Sequence, residues 1–136
     1  MASPKIVAAW PTWAPQLLSV LRIITAALFI FSGTIKLFAY PFGMPDGSAV
    51  PVLSQIWIGA VLEVVGGGLL LIGLFTRPVA FVLSGEMAVA YFQFHAPGGF
   101  WPHQNGGIPA ILMCFIFLYF SAAGPGPWSL DARRGK

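Results

Sequence analysis

Gly59 to Phe75 reads GAVLEVVGGGLLLIGLF. One carboxylate, Glu63, sits in a run otherwise made of glycine and hydrocarbon. The segment is long enough to cross a bilayer, which takes about 20 predominantly apolar residues. At about 100° per residue, Gly59, Glu63, Gly66, Leu70 and Gly73 fall on one stripe, and bulky Val61, Val65 and Ile72 point away. Small residues at that spacing let a second helix approach closely. The stretch therefore predicts a membrane helix whose carboxylate faces protein, not lipid.

The rest of the chain supports this solvent. Of 136 residues, 57% are hydrophobic and 8% charged. A soluble domain carries about 25% charged residues, and a chain this short cannot hide so much apolar surface in one core. Three more apolar segments accompany Ser54–Phe75: Leu17–Ala39, Pro78–His95 and Ile108–Ala123. The expectation is an all-α, integral membrane four-helix bundle forming a single domain over residues 1–136. Lys5 opens an N-terminal segment too long for the h-region of a signal peptide, about 7–15 residues, so the first span is expected to be uncleaved. The TRP link, Thr76 to Pro78, makes the second and third helices antiparallel neighbours.

Lysine and arginine set orientation. Lys5, Arg77, Arg133, Arg134 and Lys136 lie at the termini and the short link. The longer loops, Tyr40–Leu53 and Ala96–Gly107, have neither residue. This predicts an N-in/C-in membrane protein, with both termini and the short link in the cytoplasm. Trp10, Trp13 and Trp128 fall at the inner boundary and Trp57 and Trp101 at the outer, as an interfacial belt requires. The basic residues form no patch for nucleic acid. The one cysteine, Cys114, has no partner for a disulfide and reads as an apolar filler.

Four ionisable residues lie within the spans: Arg22, Lys36, Glu63 and Glu86. Each costs roughly 2.5–3.5 kcal/mol at a helix centre, so they are expected to face the interior and pair. On the first helix Arg22, Ala26, Phe29, Gly33 and Lys36 share a stripe opposite Ile24, Leu28, Phe31 and Ile35. On the third, Glu86, Ala90 and Gln93 align. At about 1.5 Å per residue, Arg22 and Glu86 sit roughly 8–12 Å from the inner ends, Glu63 about 18 Å, and Lys36 about 10 Å further out. The expected arrangement is a polar column, Arg22–Glu86–Glu63–Lys36, joined by Gln93. Such a column either fixes helix register or handles protons or a polar headgroup.

The third loop, HAPGGFWPHQNGG (His95–Gly107), gathers His95, Trp101, His103 and Asn105. Aromatic walls with a few polar groups suit a small-molecule pocket, and a quinone carbonyl needs a donor such as histidine. The histidines lack a third ligand at a standard metal or haem spacing, so no metal site is expected. No nucleophile has a base at a diagnostic spacing, so no catalytic residue is assigned. Ser32, Ser84 and Ser121 are expected to bond to their own helices.

LRIITAALFIFSGTIKLF (Leu21–Phe38) resembles the first helix of DoxX-family membrane proteins, and LEVVGGGLLLIGLFTRPVA (Leu62–Ala80) resembles their second helix and turn. His95, NGG (Asn105–Gly107) and GPGPWSLD (Gly124–Asp131) are similar too. Many relatives continue NGG with a glutamate; here Ile108 and Pro109 follow, so no role of that acid carries over. The resemblance implies a four-helix, multi-pass protein of the bacterial inner membrane, with some relatives linked to quinone oxidoreductases and others to redox-stress complexes. The implied function is a small membrane subunit or accessory protein of such a complex, in contact with lipid, a redox protein partner and quinone, with no cofactor of its own. A homo-oligomer is compatible with it. A non-enzymatic scaffold, or a metabolite or proton carrier using the buried charges, stays open as an alternative.

Overall fold

The computed structural model describes Lys5 and residues 9–135. Lys136, one of the tail cations used for orientation, lies outside the described residues. The described chain is all-helical, with no strand among those residues. A 3-10 turn, Trp10–Trp13, leads into α1 (Ala14–Phe38). There follow α2 (Gln55–Ile72), α3 (Thr76–Ala90), the four-residue α4 (Pro102–Asn105), α5 (Ile108–Ala123) and the four-residue α6 (Leu130–Arg133). A π-helical turn, Tyr91–His95, prolongs α3. Two helices are long and apolar enough to cross a membrane, Trp10–Phe38 and Gln55–Ile72; Ile108–Ala123 is a shorter apolar helix.

The helices form two pairs. α1 packs on α2, and α3 packs on α5. The α1–α2 seam is built from small residues. Gly33 faces Ala60, Glu63 and Val64, and Gly67 faces Ala26 and Ile30. The pairs meet through α2 and α3, where Gly66 faces Leu83, and through Phe29 and Phe117, whose rings stack edge-on at 4.9 Å. Ser84 donates to the Cys114 carbonyl at 2.8 Å, tying α3 to α5 rather than to its own helix. Ser32 likewise bonds across helices, and Ser121 alone of the three bonds within its own helix, to Leu118. Such interhelical polar contacts are the usual glue where the surroundings are apolar.

The outer surface is hydrocarbon. Ile24, Leu28 and Phe31 on α1, Val65 on α2, Phe81 on α3 and Phe115 on α5 are all about half exposed or more. Apolar exposure this continuous marks a surface made for a membrane or a partner. The α1 wheel is borne out, since Arg22, Ala26, Phe29 and Gly33 are buried.

The link between α2 and α3 differs from expectation. The turn is Gly73–Phe75, and Thr76–Pro78 already forms the first turn of α3. Gly73 ends α2 at φ 71°, with the Leu74 amide bonded back to Leu69, the usual glycine stop. What starts α3 so early is Asp131, from the far end of the chain. Its carboxylate accepts from the Phe75 and Thr76 amides at 3.0 and 2.9 Å. Burial pushes this carboxyl up, but those amide bonds and the nearby Arg134 outweigh it, so it sits below its ordinary value.

Candidate functional site

Arg22 departs from the expected column. It is fully buried, yet it meets no carboxylate. Its Nε donates to the Leu70 carbonyl at 2.8 Å and Nη2 to Trp128 at 2.7 Å, with a longer contact to Leu71 and a short bond from Nη1 to Pro125. The guanidinium fork thus adds charged donors to the carbonyls at the end of α2, where Leu70 also accepts from the Gly73 amide, and holds the GPGPW tail over them. Ser19 completes the clamp, accepting from the Trp128 amide at 3.1 Å. The expected pairing of Arg22 with Glu86 fails because both helix ends at the link lie earlier in the chain than their apolar segments suggest. With α2 ending at Ile72 and α3 starting at Thr76, Glu63 and Glu86 lie at similar depths, about 14–15 Å from the link.

The other three charges do come together. Lys36 Nζ lies 2.8 and 3.0 Å from the two oxygens of Glu63. Ser32 adds a hydroxyl donor at 3.2 Å. The Glu63 side chain is 2% exposed and that of Lys36 28%. This is the only ion pair among the described residues. Glu86 faces the same space from α3. Its Oε1 is buried without a hydrogen-bond partner among the described residues, and its Oε2 lies against Gly59. A Cβ at position 59 would lie 3.1 Å from that oxygen, so the carboxylate would have to give by a few tenths of an ångström; the glycine there leaves room for the acid.

These groups line a cavity of about 590 Å³ between the halves of α2 and α3 remote from the link. Its walls are otherwise mainly apolar, with Ile58 and Leu62 on α2 and Val82, Met87 and Val89 on α3, closed by Phe94 and His95. Ile58, Leu62, Val82 and Val89 are also surface-exposed, so the cavity opens sideways between the two helices. A space of about 300–1,000 Å³ with apolar walls and few polar groups is typical of small-molecule sites.

The loop residues fare differently. Of His95, Trp101, His103 and Asn105, His95 alone lines the cavity. Trp101 and His103 are exposed. Asn105 is spent inside the loop, donating to Gly99 and Tyr91 and accepting from the Gly107 amide. Gln93 does not join the carboxylates either; it bonds to Gln55 across α2 and the π turn. A helical wheel does not show this, because a π turn adds a residue and rotates every later side chain of the helix; such turns often sit at functional sites. His95 Nδ1 is 3.2 Å from the Asn105 carbonyl. A carbonyl can only accept, so Nδ1 carries a proton in this bond and Nε2 is left for another partner. No group of three or more potential metal ligands occurs among the described residues.

The DoxX family model matches residues 17–96, more than half of the chain and all of α2 and α3. The chain belongs to the DoxX family. A Haemophilus influenzae protein, described only as uncharacterized, is 43% identical over 88% of this chain and 91% of its own. An uncharacterized membrane protein of Mycobacterium tuberculosis is 30% identical over 93% and 90%, and the inner membrane protein YphA of Escherichia coli 29% over 88% and 91%. No solved structure matches. This DoxX chain is a membrane protein, and the matched region contains Lys36, Glu63, Glu86 and His95.

Proposed function

We propose that this DoxX protein is a small multi-pass subunit of a membrane-associated oxidoreductase complex, and that its α2–α3 cavity holds a quinone-class headgroup. The observation that carries the reading is the set of polar groups in that cavity. Lys36 has one ammonium hydrogen beyond the two used on Glu63. The Glu86 carboxyl offers an acceptor, and the His95 ring lines the same space. A head that both accepts and donates fits this set, and the quinone and quinol forms between them do both. When bound, such a molecule supplies electron transfer to or from redox centres on a partner protein. The chain itself orients the head, keeps it away from bulk water and leaves its body facing hydrocarbon.

In this reading α1, α2, α3 with its π turn, and α5 are four spans of a single domain in the inner membrane, with both termini and the Gly73–Phe75 link in the cytoplasm. The exposed tryptophans Trp10, Trp13 and Trp128 at the link end and Trp101 at the other agree with interfacial anchoring. The carrier alternative is weaker, because Arg22 is spent on backbone carbonyls at the link end. The polar groups therefore form two separate clusters instead of a path across the bundle. Purification in gentle detergent, with mass spectrometry of bound proteins and lipids, tests the proposal. It predicts a redox-protein partner and retained quinone. Recovery as a lone bundle without quinone, from cells that contain it, contradicts the proposal.

A further inference from the structure

A second cavity adjoins the first. It is about 250 Å³, lies between the link-proximal halves of α2 and α3, and is lined wholly by apolar side chains, among them Val65, Leu69, Pro78 and Val79. Leu62 and Val82 belong to both cavities. Its floor is the contact of Gly66 with Leu83. Polar chamber and apolar groove thus adjoin along the α2–α3 face, with Leu62 and Val82 as their common wall, and Val65 and Val82, each more than half exposed, leave them open to the side. From Leu62 to Leu69 the groove covers about 10 Å of helix.

Resting on the headgroup reading above, we infer that the occupant is a single-tailed amphiphile that enters sideways from the lipid, its polar head at Lys36, Glu63 and Glu86 and its apolar tail laid toward the link along the groove. The head alone does not need the groove, and the second chain of a double-chained lipid would find no groove of its own. Two features of the site point to this occupant. The polar groups are confined to one end, where the unpartnered Glu86 oxygen lies, and the apolar walls Leu62 and Val82 lead from there into the groove. In a bilayer a tail gains no hydrophobic free energy by leaving lipid for protein. The groove therefore acts through packing and orientation, holding the head in register with the charges.

The test uses the full chain in nanodiscs and a fully substituted benzoquinone whose decyl tail ends in a photoreactive diazirine. The same ring carrying methyl in place of decyl serves as competitor. Labelling of Leu62–Leu69 and Pro78–Leu83 is expected to exceed labelling of the α1 lipid face about tenfold, and to fall by a similar factor with excess competitor. Val79→Trp, which fills the groove, should abolish groove labelling while the methyl ring still binds. Equal labelling of both faces, or groove labelling that ignores the competitor, overturns the inference; a phospholipid chain or a neighbouring helix in the groove gives the second result. If the methyl ring binds but the tail labels elsewhere, the inference alone fails. If the methyl ring does not bind, the headgroup reading fails and takes the inference with it.

Discussion

Replacing Lys36 with methionine should be costly, and replacing both members of its pair should not. Lys36→Met keeps the length of the side chain but leaves Glu63, whose side chain is 2% exposed, with the Ser32 hydroxyl as its remaining donor. Breaking a buried ion pair costs about 3–5 kcal/mol, because a buried charge is left uncompensated. Lys36 is 28% exposed, so the pair is only partly enclosed by protein. The expected loss is therefore at the lower end, about 3 kcal/mol. Glu63→Met alone strands an ammonium that can still turn toward water, for about 1–2 kcal/mol. The double substitution replaces the pair by hydrocarbon of similar volume and should fall within about 1 kcal/mol of wild type. The coupling between the two positions is then roughly 3–4 kcal/mol. Helicity followed by circular dichroism during titration of mixed micelles with dodecyl sulfate gives all four stabilities. A coupling below about 1 kcal/mol would show that the pair is not a buried one, because an exposed pair gives no more than that. The double variant also separates roles. If the pair only holds helices together, it folds and works; if the pair meets a headgroup, it folds and does not bind.

Other predictions concern packing and the tail. A Cβ on Gly33 would lie 2.6 Å from Val64 Cγ2 and 2.9 Å from the Ala60 carbonyl, whereas one on Gly68 meets nothing within 4 Å. Gly33→Val should cost about 2–3 kcal/mol by overpacking, and Gly68→Ala should be neutral or stabilise by up to about 1 kcal/mol, both read from the same titration. Arg22→Lys should release the tail, because one ammonium cannot serve the carbonyls of Leu70, Pro125 and Trp128 together; faster tryptic cleavage at Arg133 and Arg134 in a folded protein would register it. Asp131 titrates below its ordinary value of 3.8. Its stabilising contribution is therefore complete above that pH and lost as pH falls through the lower folded value. Protection of the Phe75 and Thr76 amides from hydrogen exchange, relative to the intrinsic rate at each pH, should fall only in that acid window, and Asp131→Ala should remove the same protection at neutral pH at a cost of about 1–2 kcal/mol.

Side-chain periodicity made part of this site legible. The α1 stripe of Arg22, Ala26, Phe29 and Gly33 and the glycine stripe around Glu63 both come from placing small and polar residues inward, and with depth they bring Lys36 to Glu63. Arg22 was readable as buried but not in its partners. Those are backbone carbonyls, which no wheel displays, and two come from residues about 100 positions away. The early start of α3 was hidden for the same reason, since its cap is Asp131 rather than a neighbour. That difference shifts Glu86 by part of a turn and away from the cation it was expected to meet. The π turn hid the rest. It turns Gln93 toward Gln55 and His95 toward the cavity, where a 3.6-residue period extended from Glu86 aligns Gln93 with the charges. His95 survives as a site residue, while Trp101 and His103 reflect a cluster in sequence that does not meet at one point in space.

Whether the α2–α3 cavity binds a quinone head through its charged groups can be read from titration of the purified protein in nanodiscs with the methyl-substituted ring. Saturable binding to wild type is expected, weakened about tenfold or more by Glu86→Leu and by the Lys36→Met/Glu63→Met double variant, both still folded. Binding that does not saturate, or that is the same in wild type and both variants, would contradict the assignment of this cavity as a headgroup site.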